Sequence, residues 1–248
     1  MSNSLPHDNI KPFSASEQGK KQQVEVMFDR IAGKYDFMNR FLSARVDVAW
    51  RKKAINMLKK DNPQQILDMA TGTGDMALTA WRILKPAQIT GIDLSEGMLE
   101  IGRKKIEKEG LSSFIQLHKG DAETINQPEN SFDAIMVAFG VRNFENLEKG
   151  LSEMKRVLKP GGKLLVLEFS KPKNKLIRSL YNWYMSKLAP GLAKSFNQDK
   201  EAYAYLNKSA NAFPDRELFT DILTKQGYAA ASCLPLTFGI CCIYTATK

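Results

Sequence analysis

Between residues 65 and 169, short apolar runs alternate with longer stretches whose apolar residues recur three and four positions apart. The runs Gln65–Met69, Gln88–Asp93, Ile115–Lys119, Phe132–Ala138 and Lys163–Phe169 read as strands. The stretches 75–84, 96–109 and 145–158 have helical spacing. Repeated strand-then-helix predicts a parallel sheet with right-handed crossovers and helices on both faces, a Rossmann-like α/β fold. Lys159-Pro-Gly-Gly162 predicts a sharp turn before the fifth strand.

The pattern differs on either side of this core. Lys21 to Lys60 reads as a helical cap, with Val24, Met27, Phe28 and Ile31 on one apolar face and Trp50, Ala54, Ile55 and Leu58 on another. Between them the aromatic-rich Tyr35–Ser43 reads as a loop and a short helix over the ligand pocket. Residues 1–20 are polar, aperiodic and hold Pro6 and Pro12, which predicts a disordered tail. Residues 171–212 break the alternation, setting Leu176, Ile177, Leu180, Tyr181, Trp183, Tyr184, Met185 and Leu188 among lysines. A helix from Pro214-Asp215 to about Gln226 and strands at Tyr228–Pro235 and Gly239–Thr247 close the chain. One domain is therefore expected over 21–248: cap (21–60), cofactor-binding core (61–170), lid insertion (171–212), closing helix and hairpin (213–248).

The chemistry centres on Asp68-Met-Ala-Thr-Gly-Thr-Gly-Asp75, a strand end, a glycine turn and a helix start. Gly72 and Gly74 carry no Cβ and let a ligand approach the backbone. Asp93 ends the next strand, placed to accept both ribose hydroxyls of a nucleotide, while Ser95 suits the cap of the following helix. Asp121 and the Ala122 N–H, at the end of the third strand, are candidates to read an adenine edge, a turn-forming Asp being the competing account. Arg142 and Asn143 follow the fourth strand and face the same sheet edge. Ala77 in the third glycine position does not exclude NAD, but Asp75 at the helix mouth would repel a diphosphate. The Asp-x-x-x-Gly-x-Gly form also resembles the first motif of class I S-adenosylmethionine-dependent methyltransferases, which implies Asp68, Thr71, Gly72, Gly74 and Asp93 as cofactor residues.

Charge sharpens the picture. The formal net charge is +9, yet residues 61–170 are slightly acidic while 1–60 and 171–210 each carry an excess of six basic residues. Such flanks suit an anionic surface, membrane or nucleic acid, as well as plain solvated helix faces. No nucleic-acid recognition motif accompanies them, so no nucleic-acid partner is expected. No run of eighteen apolar residues and no apolar signal core occurs, which predicts a cytoplasmic protein. Cys233, Cys241 and Cys242 read as free thiols, and with His7 and His118 they form no metal-ligand spacing, so no metal is expected.

Three separated segments carry a more specific resemblance. Tyr35-Asp-x-Met-Asn-x-x-Leu-Ser43 with Trp50, Phe139-Gly-x-Arg-Asn143, and Arg156-Val-Leu-Lys-Pro-Gly-Gly-x-Leu-x-x-Leu-Glu-x-Ser170 resemble the signatures of the ubiquinone/menaquinone biosynthesis C-methyltransferases. The likeness runs from about residue 22 to the C-terminus. It departs at Asp47, where that family commonly has a histidine. The resemblance implies methyl transfer from S-adenosylmethionine to a ring carbon of a polyprenylated quinol. Demethylmenaquinol is the preferred acceptor, with the ubiquinone precursor or another lipid-like acceptor, such as a sterol or phospholipid amine, as alternatives. It implies Arg142, Asn143, Tyr35 and Asp75 as catalytic candidates, Arg142 by favouring the ionised acceptor hydroxyl. The lid is then expected to shelter the prenyl tail at the inner face of the cell membrane. A homo-oligomer is left open.

Overall fold

A computed structural model describes residues 5–13, 15–184 and 200–248. Seven strands form one mixed sheet in the order β3-β2-β1-β4-β5-β7-β6. They are β1 (Gln65–Met69), β2 (Gln88–Asp93), β3 (Ile115–Lys119), β4 (Phe132–Ala138), β5 (Leu158–Phe169), β6 (Ala229–Leu236) and β7 (Cys241–Thr247). The first five pair in parallel, whereas β7 runs antiparallel to both β5 and β6. The order reverses at β1, between its neighbours β2 and β4. That switch leaves a crevice at the strands' C-terminal ends, where doubly wound sheets bind ligands.

The crossover helices are α3 (Asp75–Leu84), α4 (Glu96–Lys108) and α5 (Leu147–Val157), preceded by α1 (Lys20–Leu42) and α2 (Val46–Met57). The later described helices are α6 (Lys175–Trp183), α7 (Lys200–Ala212) and α8 (Glu217–Lys225). Each face of the sheet has its own core. On one side Leu151, Met154, Phe219 and Leu223 of α5 and α8 pack on the strands, and on the other Trp50, Ile55, Leu78 and Leu99 of α2, α3 and α4. Adjacent Cys242 and Cys241 fall into these two cores respectively, as strand alternation requires. A third cluster joins Val24, Met27 and Ile31 of α1 to Met98 and Tyr205.

Four features differ from the sequence pattern. The loop expected over Tyr35–Ser43 is absent, because α1 continues without a break to Leu42. Nothing in that segment stops a helix, since it holds neither Pro nor Gly. The described part of the expected disordered tail is ordered on the core: His7 is buried, and Lys20 Nζ donates to the carbonyls of His7, Arg142 and Phe144. A buried ammonium satisfied by three carbonyls ties the segment down, and polarity alone could not reveal it. β5 starts at Leu158, not Lys163, and the Lys159–Gly162 turn becomes a bulge where the register jumps from Phe132–Leu158 to Ala134–Lys163. Gly161, at φ +76°, turns the chain there. The helix expected from Pro214 begins instead at Glu217. Of the lid insertion, α6 and α7 are described, and Met185 and Leu188 lie outside the described residues.

Candidate active site

Two cavities meet at the crevice. The first is a narrow slot under α1, walled by Gly72, Asp93, Asp121, Ala122 and Asn143. The second, of about 760 Å³, is mostly apolar and lies between α2, α6, α7 and the turn after β6. Tyr35 and Phe139 line both, so these two rings form the shared wall.

The slot is built from strand ends. Asp93 ends β2, where Oδ2 accepts the Gly72 N–H at 2.8 Å and Oδ1 the Ser95 N–H at 2.9 Å. Burial pushes its carboxyl up, and these backbone donors pull only part of the way back. Both oxygens keep lone pairs for a ligand's hydroxyls. Ser95 itself caps α4, its Oγ accepting the Met98 N–H. Gly72 has φ +57°, and a Cβ there would enter open space. Asp121 faces the slot, its carboxylate 2.6 Å from Lys21 Nζ on α1 and accepting the Glu123 N–H.

Three of the residues expected at the cofactor lie behind the wall instead. Asp68 is buried beneath the turn and accepts from Thr71 Oγ1 at 2.6 Å, so both shape the turn rather than touch the slot. Burial raises the Asp68 carboxyl to about 7, with Thr71 opposing. A Cβ on Gly74 would meet Ile106 and Leu117, so that glycine gives room to α4 and β3 rather than to a ligand. Asp75 lines neither cavity. Its oxygens are held by Lys105 Nζ at 2.7 Å and Arg40 Nη2 at 3.1 Å. Burial works against its charge, but Lys105, Arg51 and Arg40 outweigh burial and hold the carboxyl below the usual range. It is a latch between α1, α3 and α4, which makes it unsuited to proton transfer.

The larger cavity receives Arg142 from the 3-10 turn at Val141–Asn143. Arg142 is only 3% exposed, and its Nη1 donates to the Phe139 carbonyl and to Glu168 Oε1 at 2.7 Å. Burial pushes the Glu168 carboxyl up, and Arg142 offsets only part of this. Arg142 therefore enters the cavity already paired with Glu168 rather than as the unpartnered charge the sequence suggested, and among the described residues its Nε has no hydrogen-bond partner. The Asn143 amide is set by Tyr205, whose hydroxyl donates to Oδ1 at 3.2 Å. Burial raises the Tyr35 phenol above its ordinary value. On α2, Asp47 accepts from Ser43 Oγ at 2.6 Å and from Arg51 Nη1, and both Asp47 and Arg51 line this cavity.

Sequence reasoning gave no role to Glu168, Arg51, Lys21 or Tyr205. Glu168 was findable, as a lone acid inside the apolar run of β5 must be paired when buried. Arg51 had the i,i+4 spacing to Asp47. Tyr205 comes from a distant helix and has no local signal.

The family model described as the ubiE/COQ5 methyltransferase family matches residues 16–248. The chain is 47% identical over 243 residues to a demethylmenaquinone methyltransferase of Bacteroides fragilis, covering 98% of this chain and 99% of that protein. It is 40% identical over 240 residues to a ubiquinone/menaquinone biosynthesis C-methyltransferase of Geobacter sulfurreducens, covering 96% and 93%. Among solved structures, a SAM-dependent methyltransferase of Thermotoga maritima superposes with TM-score 0.63 at 23% identity, covering 90% of this chain and 99% of that one. The [4+2]-cyclase SpnF superposes at 0.61 with 20% identity, covering 92% and 96%, so the fold alone does not select the reaction. The chain belongs to the ubiE/COQ5 methyltransferase family, enzymes that take their methyl group from S-adenosylmethionine.

Proposed function

We propose that this chain transfers the methyl group of S-adenosylmethionine to a ring carbon of demethylmenaquinol, completing menaquinone. The observation that carries the reading is the pair of cavities with a common wall. A polar slot with Asp93 and Asp121 suits a nucleoside, and a mostly apolar cavity of about 760 Å³ suits a bicyclic ring with the start of its prenyl tail. The methyl group passes at the wall that Tyr35 and Phe139 line on both sides. Asp93 takes the ribose hydroxyls; Asp121 and the Ala122 N–H take the adenine once Lys21 yields.

A ring carbon is a weak nucleophile until the neighbouring hydroxyl ionises. Arg142 donates toward that oxygen, Asn143 orients the cofactor side of the wall, and Tyr35 holds the ring in line with the methyl group. The relatives' names support the menaquinone acceptor first and the ubiquinone precursor second. The exposed Leu176 and Leu180 of α6, with Phe238 at the cavity rim, are the surface through which the tail reaches an anionic bilayer.

The test is mass spectrometry of products after the purified protein is given S-adenosylmethionine with reduced demethylmenaquinone, the ubiquinone precursor, or phosphatidylethanolamine. C-methylated menaquinol is the expected product. Methylation of the amine lipid alone would overturn the reading.

A further inference from the structure

Methylating a ring carbon releases one proton, and the second cavity offers few groups to receive it. Among the described residues that line it, Asp47 is the one carboxylate, and histidine is absent from them. Arg51 and Arg142 enter as cations. The phenols of Tyr35, Tyr181 and Tyr184 hold their protons more tightly than usual through burial, Tyr181 up to about 12. Glu168 does not line the cavity, and its Oε1 is turned to Arg142 and the Phe169 N–H. Asp93 belongs to the slot, and Asp75 lines neither cavity.

Asp47 is also in the right part of the cavity. Arg51, its partner one turn along α2, sits with its guanidinium 5.5 Å from the centre of the Phe139 ring. Phe139 is half of the wall shared with the slot, so the Asp47–Arg51 pair sits at the end of the cavity nearest the methyl donor. Asp47 is 5% exposed, with one donor on each oxygen, which leaves lone pairs for a third.

We infer that Asp47 is the general base of the methyl transfer, accepting the proton of the quinol hydroxyl ortho to the methylated carbon. The inference rests on the quinol reading above. As the O–H bond breaks, its proton goes to an Asp47 oxygen and the electron pair moves through the ring. The ring carbon then bonds the methyl group while the S–C bond breaks, its pair staying on sulfur to give the thioether. The ring C–H next breaks, its pair restoring aromaticity and its proton re-forming the hydroxyl. The proton on Asp47 leaves to solvent with the product. Arg51 and Ser43 are positioning residues that fix the carboxylate toward the ring.

Arg51 on α2 and Arg40 on α1 act on Asp47, and the other titratable groups lining the same cavity are Tyr35, Arg142, Tyr181 and Tyr184. None is an anion at neutral pH, so a low-pH limb of kcat that depends on residue 47 identifies Asp47 itself.

The experiment measures kcat against pH for the full chain, Asp47→Asn and Asp47→His. Each receives saturating S-adenosylmethionine and reduced demethylmenaquinone, and calorimetry with S-adenosylhomocysteine checks each variant's cofactor site. Asp47→Asn is expected to bind S-adenosylhomocysteine as the parent does, to lose about 100-fold or more in kcat at pH 7, and to regain rate as rising pH ionises the quinol unaided. Asp47→His is expected to recover part of the rate, with its low-pH limb near the imidazole range, about 6.5. An Asp47→Asn variant with near-normal kcat and an unchanged pH profile overturns the assignment alone. So does an equal loss at every pH, which marks a purely structural role. A parent protein that binds S-adenosylhomocysteine but methylates no quinol overturns the quinol reading and this inference with it.

Discussion

At the scale of single residues, the two acids beside the glycine turn have opposite tasks, Asp68 being buried and Asp93 half-buried. Asp93 keeps oxygens open to the slot, and Asp68 turns Oδ2 to Thr71 beneath the turn. Asp93→Ala is therefore expected to weaken S-adenosylhomocysteine about 100-fold or more in calorimetry, since two hydrogen bonds to a charged acceptor disappear. Asp68→Asn is expected to alter stability instead. The folded carboxyl stands near 7 and the unfolded one near its ordinary value of about 3.9. The folded protein thus holds a proton that the unfolded chain has already released, and the stability Asp68 contributes falls as pH rises through that window. Relative to Asp68→Asn, the parent should lose up to about 4 kcal/mol between pH 4 and 8 in urea titrations. A flat difference across that range would mean Asp68 stays ionised in the fold. The sequence put both acids at the cofactor because both end strands, and only the direction of each side chain separates them. Asp75 misled for the same reason: a carboxylate at a helix mouth looks available until Lys105 and Arg40, from other elements, are seen holding it.

At the scale of elements, β1, β4 and the second half of β5 were legible because both faces are buried, which makes each an apolar run. The edge strand β3 buries only alternate residues and was legible by its period of two. The cap was legible as helix but not as one helix. Local sequence permits either a break or a continuous rod near Tyr35, and tertiary contacts decide. Lys105 Nζ of α4 reaches Asp36 Oδ2 at 2.5 Å, Asp75 Oδ1 at 2.7 Å and Thr73 Oγ1 at 3.0 Å, while Thr73 Oγ1 donates to Asp36 Oδ1. This cluster fastens the second half of α1 to the glycine turn. Replacing Lys105 with Met leaves two partly buried carboxylates facing each other without their shared cation, which is destabilising locally. Hydrogen exchange across residues 33–42 should then speed up at least tenfold, while the α5 face of the sheet keeps its protection. Unchanged exchange in 33–42 would show that apolar packing alone holds the helix. Because Tyr35 lies on that half of α1 and lines both cavities, the same variant should also slow turnover.

At the scale of the whole molecule, the two segments that carry the basic excess are also segments that line the larger cavity. The basic excess lies in residues 1–60 and 171–210, which flank the slightly acidic core in sequence and supply α1, α2 and α6 around the larger cavity. Leu176 is 79% exposed, Leu180 65% and Phe238 77%, and the last two also line that cavity. No described helix is long and apolar enough to cross a membrane, and the hold on a bilayer proposed above is one at its surface. Burying a few such side chains at about 1.5–3 kcal/mol each, with attraction to anionic headgroups, is enough for reversible binding. The protein should sediment with vesicles containing phosphatidylglycerol and much less with pure phosphatidylcholine. Binding to the anionic vesicles should drop steeply on raising salt from 0.05 to 0.5 M, as surface charge is screened. The double variant Leu176→Ser/Leu180→Ser should lower vesicle binding while leaving the affinity for S-adenosylhomocysteine unchanged. It should also raise KM for a long-tailed quinol more than for one with a short tail, because only the long tail is drawn from the bilayer. If the double variant binds vesicles as the parent does, α6 faces something other than lipid, and the cavity must be filled by another route.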